Sequence, residues 1–103
     1  MNVDEIKRKR KHILKSGVSK VLIRKGDQRI QYPKLCAVCS RKLATTDIIE
    51  EELGGKSVHV HRTEAKANYI SVTINDIIKV SLCADIRQCY NETKRKEKQD
   101  GLF

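Results

Sequence analysis

The chain has 103 residues and a net charge of +9, with 39% apolar residues, 4% aromatic residues and no Trp. That length supports a single domain, 1–103, whose thin Val/Ile/Leu core calls for a staple. The charged start MNVDEIKRKRKH excludes a signal peptide or membrane anchor at that end, and no apolar run reaches transmembrane length, so an intracellular chain (cytoplasm, or nucleus if eukaryotic) with reduced cysteines is expected.

The charge is unevenly placed. Residues 1–34 carry 11 Lys/Arg against 3 acids, residues 35–83 carry 6 of each, and residues 84–103 carry 5 against 4. The excess therefore precedes the first cysteine and points to an anionic partner.

In chain order, Asn2 followed by Glu5 resembles a capping box and Gly17 is a helix stop, predicting a helix over 3–16. Its apolar positions Val3, Ile6, Ile13 and Leu14 form a narrow stripe broken by Arg10, which predicts weak packing and a broad basic face. SKVLIRKGDQRIQYP reads as a hairpin, with Val21/Ile23 and Ile30/Tyr32 alternating around Gly26-Asp27 and Pro33 ending it. TTDIIEEELGG predicts a short helix over 47–53, capped by Thr46 or Asp47 and stopped by Gly54-Gly55. SVHVHR alternates as a strand, with Val58 and Val60 inward and His59 and His61 outward. EAKAN is a loop or one helical turn. ISVTINDIIKVSL predicts a hairpin with a two-residue Asn75-Asp76 turn. From Ala84 onward a helix is predicted, with Ile86, Cys89, Tyr90 and Thr93 on one face and a tail over 99–103.

Four cysteines stand out. Cys36 and Cys39 form a C-x2-C knuckle, whereas Cys83 and Cys89 are separated by five residues. Two residues six apart in one helix would lie about 9 Å apart along its axis and on nearly opposite faces. Sulfurs around a zinc ion lie about 3.8 Å apart, so Cys83 must lie at the strand end or in the turn and Cys89 must point back from the first turns of the helix. One structural zinc bound by Cys36, Cys39, Cys83 and Cys89 is the leading expectation; four free buried cysteines and disulfides are the alternatives, with His59 or His61 as a substitute ligand.

Knuckle, hairpin and helix bearing the last ligand resemble the treble-clef zinc finger over residues 35–98, on the strength of CAVC, ISVTINDIIKVSL and CADIRQC. The resemblance implies an α+β, zinc-stabilised core preceded by the basic helix and hairpin of 1–34. Ser40 stands where that fold commonly has glycine, and the second cysteine pair is wider than its usual two-residue gap. A zinc ribbon of two hairpins is the alternative architecture.

No enzyme is expected. The last helix offers Asp85, Gln88 and Asn91 but no His, so the base and metal clamp of an HNH-type nuclease are missing. A four-cysteine site also leaves no coordination position open for chemistry, and no small-molecule substrate or membrane contact is expected. Lys7, Arg8, Lys9, Arg10, Lys11, Lys15, Lys20, Arg24, Lys25 and Arg29 instead form a basic surface suited to DNA or RNA phosphates, as in a small regulator. The other reading is a protein-binding adaptor or inhibitor of a larger machine, with the His59/His61 strand and the 47–53 segment as its epitope. A basic face that merely keeps the protein in solution is the bland alternative.

Overall fold

The computed structural model describes residues 2–100. Its elements are α1 (Val3–Ser16), β1 (Ser19–Ile23), β2 (Lys34–Leu35), β3 (Lys42–Leu53), β4 (Lys56–Ala65), β5 (Tyr69–Thr73), β6 (Lys79–Cys83) and α2 (Ile86–Asp100). The strands form two antiparallel three-stranded sheets, ordered β1-β5-β6 and β2-β3-β4, so the fold is α+β. No described helix is long and apolar enough to cross a membrane.

The first helix starts and stops where its capping residues dictate. The Asn2 side chain accepts from the Glu5 N–H at 2.9 Å, and the Gly17 N–H donates to Ile13 O at 3.2 Å. Ile6 on α1 is wholly buried and joins Leu43, Val72, Leu82, Tyr69 and the four cysteines in one core. Ile13 and Leu14 pack against that core, so the narrow stripe holds α1 more firmly than its width suggested.

Four expectations are corrected. The segment 47–53 is not a helix but the outer part of the twelve-residue strand β3. Thr45, Thr46, Ile48 and Ile49 favour a pleated strand, and β4 supplies ten paired partners from Ala44↔Ala65 to Leu53↔Lys56. Gly54 and Gly55, read as a helix stop, have φ of 60° and 80° and form the two-residue turn between these strands.

The expected hairpin over 19–32 is absent too, because β1 pairs with β5 from Ser19↔Thr73 to Ile23↔Tyr69. After the turn at Gly26 (φ 92°) the chain runs to the base of β4. There the Gly26 N–H donates to Ala65 O at 2.8 Å and the Ala65 N–H donates to Asp27 O at 3.0 Å. The β5–β6 hairpin forms as expected, but its connection spans residues 74–78 rather than two residues. Asn75 Oδ1 accepts from the N–H groups of Ile77 and Ile78 and closes this longer loop.

The last helix starts two residues later than Ala84. The Arg87 N–H donates to Asp85 Oδ1 at 2.9 Å, and Gln88 Oε1 accepts from the Asp85 N–H at 3.2 Å, a reciprocal cap. Ile86, Cys89, Tyr90 and Thr93 face inward or half inward, as the spacing predicted. The tail expected over 99–103 begins within α2, and its residues 101–103 lie outside the described residues.

Where α1 turns into β1, a Cβ on Gly17 would sit 2.3 Å from Cγ1 of the fully buried Val72. Gly17→Ala should therefore push α1 off the sheet and cost about 1–3 kcal/mol, typical of overpacking. Urea denaturation of the two proteins measures it, and equal midpoints would contradict so close an approach.

Candidate metal centre and basic surface

Three local devices bring the four cysteines to the cluster. Cys36 and Cys39 sit on a tight knuckle in which the Ser40 N–H donates to Cys36 O at 2.9 Å and the Cys36 N–H donates to Arg41 O at 3.0 Å. A parallel bridge from Cys36 to Ser81, with the Ala37 N–H donating to Ser81 O at 2.8 Å, holds the knuckle beside β6. Cys83 is the last residue of β6, and Cys89 lies in the first turns of α2, one turn past the Asp85 cap.

The four ligand atoms lie within 4.8 Å of one another. Cys36 Sγ and Cys89 Sγ are 3.7 Å apart, and Cys39 Sγ and Cys83 Sγ are 3.5 Å apart. Both separations are close to the edge of about 3.8 Å of a tetrahedral zinc–thiolate site. All four residues are buried. The arrangement suits one zinc-like ion, and no other group of three or more potential ligands converges among the described residues. His59 and His61 are exposed along β4 and take no part.

Without a cation, the thiols divide their protons unequally. Hydrogen bonds from Cys39, Cys83 and Cys89 pull the Cys36 pKa far down. The bond to Cys36 is the chief reason Cys39 and Cys83 are pushed far up. Cys36 gives up its proton easily and the Cys89 pKa is lowered to about 7, whereas Cys39 and Cys83 hold their protons. A divalent cation resolves this by replacing protons at several sulfurs together.

The structure also corrects the place of Arg10, expected on the phosphate-facing surface. Its residue is only 8% exposed, and Nη1 donates to Cys83 O at 2.8 Å and to Cys89 Sγ at 3.3 Å. An arginine one turn from Ile6 and one turn from Leu14 lies on the apolar stripe itself, so burying the stripe buries the guanidinium. The sequence carried this signal: a cation in the middle of a buried face needs an anionic partner. Lys7, Arg8, Lys9, Lys11 and Lys15 remain exposed on α1, Lys20 is exposed on β1, and Arg24 and Lys25 are exposed after it. Arg29 is exposed but paired with Asp27 at 3.0 Å.

A second basic cluster escaped the segment-by-segment charge count. Arg41 and Lys42 after the knuckle meet Arg95 and Lys96 of α2 around a hollow of about 390 Å³, together with Ser40 and Glu92. Lys96 Nζ donates to Cys39 O at 2.6 Å, and Arg95 pairs with Glu92. These residues are distant in sequence, and the cysteine cluster and the Lys96 bond to Cys39 O bring them together. No protein-family model, curated protein or solved structure matches the chain.

Two substitutions test this geometry. Arg10→Gln removes charge-assisted hydrogen bonds to the cluster and should destabilise the metal-loaded protein by about 3 kcal/mol in urea. Arg10→Lys should not restore it, because the lysine side chain is one atom shorter and its ammonium falls short of the position Nη1 occupies between the two acceptors. An unchanged midpoint would contradict the buried role. Ser40 holds φ at 61°, a left-handed conformation that costs a residue with a Cβ about 1 kcal/mol. Ser40→Gly should therefore raise stability by up to about 1 kcal/mol, and a loss of stability would argue against strain in the knuckle.

Proposed function

We propose that this chain is a nucleic-acid-binding protein built on one structural zinc, a small regulator that contacts phosphates through its basic N-terminal third. In this reading Cys36, Cys39, Cys83 and Cys89 hold the ion in a treble-clef arrangement of knuckle, hairpin and helix. The ion supplies folding energy rather than chemistry, because four thiolates fill its coordination shell. The protein is therefore not an enzyme here, takes no small-molecule substrate, and works inside the cell.

The observation that carries the reading is the attachment of α1. Arg10 bonds to the cysteine cluster and Ile6 is wholly buried, so the helix is fixed while Lys7, Arg8, Lys11 and Lys15 stay exposed. A fixed row of cations meets a phosphate backbone with less ordering cost than a mobile one. DNA and RNA backbones are both within reach of this chemistry. A second reading, an adaptor or inhibitor of a larger machine, is favoured by the projecting β3–β4 arm.

Protein purified without added metal should contain about one zinc equivalent by elemental analysis. Changing Lys7, Arg8, Lys9 and Lys11 to Gln should then leave that zinc in place and remove most affinity for nucleic acid. The slope of log affinity against log salt on duplex DNA should flatten by about 0.9 for each phosphate that is no longer neutralised. Wild-type protein that fails to bind duplex or single strands at low salt would sink the nucleic-acid reading, and folded protein without metal would sink the zinc.

A further inference from the structure

We propose that the outer edge of β3 over residues 46–53 docks an extended segment of a partner protein in which Lys or Arg alternates with β-branched apolar residues. This inference deepens the adaptor reading and is independent of the nucleic-acid one.

Three observations point to that edge. First, β2 pairs with β3 only at Lys34↔Ala44 and Leu35↔Lys42, so the lane beside the rest of β3 is open. The chain's own segment cannot continue along it, because the residue before Lys34 is Pro33, which has no N–H for the ladder. Among the described residues, no backbone hydrogen bond from outside the hairpin reaches residues 46–53.

Second, the arm lacks support. A lone two-stranded ribbon is marginally stable in water and gains stability from a third strand. Ile49, Val58 and Val60 lie on one face, yet none belongs to the core or to the side chains packed against it. Ile48 is 66% exposed and Leu53 is 63% exposed. Natural edge strands are commonly short or guarded by charged side chains, Pro or a bulge. This stretch of β3 is long and free of Pro and bulges, and its only guards are Asp47, Glu50, Glu51 and Glu52.

Third, the charge selects the partner. The arm over residues 45–64 carries Asp47, Glu50, Glu51, Glu52 and Glu64 against Lys56 and Arg62, on a chain whose net charge is +9. Four of those five acids lie on β3 itself, where an added strand would set its side chains directly opposite. Because strand side chains alternate between faces, cations opposite Glu50 and Glu52 leave the apolar residues over Ile49 and Leu53 on the other face. On that face Asp47 and Glu51 are already paired with Lys66 and Arg62. A nucleic acid backbone would be repelled from the same edge.

The test uses the full metal-loaded chain and a ten-residue peptide of alternating lysine and valine. A second peptide of the same charge carries a proline at its centre. The alternating peptide should bind one to one and slow exchange of alternate amides over 46–53 by at least tenfold. The proline peptide should bind at least tenfold more weakly, as should the alternating peptide to Glu50→Lys/Glu52→Lys. Equal binding of the two peptides would mean charge attraction alone and would overturn the site. Absence of binding, or outward-facing amides of 46–53 already protected in the free protein, would overturn it equally. Protection at another surface would overturn the edge while leaving the adaptor reading standing.

Discussion

Bringing four thiols to one buried point concentrates negative charge in a small core, and the rest of this structure answers that charge. A divalent cation with four thiolates still leaves two negative charges inside the protein. Burying such a charge requires hydrogen bonds and a counter-charge. Arg10 supplies the nearest cation, with contacts to Cys83 and Cys89. The Val38 N–H faces Cys36 Sγ at 3.5 Å, and Lys96 caps the knuckle through Cys39 O. The same residues that balance the charge join α1, β6, the knuckle and α2.

This coupling gives the basic N-terminal third its form. A helix as polar as α1 would be marginal alone, since most helical stability in proteins comes from packing an amphipathic face. Ile6 and Arg10 provide that packing, one apolar and one charged, both on the cysteine core. With its inner face committed, α1 presents its remaining cations outward. The second basic cluster arises from the same cause, because the knuckle and α2 meet where Cys36 faces Cys89 and Lys96 bonds to Cys39 O. The β3–β4 arm is the part least dependent on this centre. Only its base, at Leu43, Ala44 and Ala65, enters the core. Its projection accords with a radius of gyration of 16.4 Å, against about 13 Å for a compact chain of this length.

The sequence made the cysteine constellation legible because coordination geometry is strict. With five residues between them, Cys83 and Cys89 could share one metal only across a strand-to-helix junction, and that junction is where they lie. Local capping made α1 legible for the same reason: Asn2 and Gly17 act within one turn. The β3–β4 arm was misread because Gly54-Gly55 serves equally as a helix stop and as a hairpin turn. Only pairing with SVHVHR distinguishes the two, and that information is non-local. The partner of β1 was hidden similarly, since Val21/Ile23 can pair with any strand of matching alternation. Arg10 was read by its charge rather than by its position. Spacing from Ile6 and Leu14 placed it on the buried face, but its acceptors stand 73 and 79 residues away.

The central claim is that the metal centre holds the basic helix in place. Hydrogen exchange of the backbone amides, measured before and after metal removal by a chelator, addresses it most directly. The account predicts that residues 3–16 lose protection together with residues 79–94 once the metal is gone. It also predicts recovery of both on adding one equivalent of zinc. Full protection of residues 3–16 in the metal-free protein, with only residues 79–94 released, would contradict it.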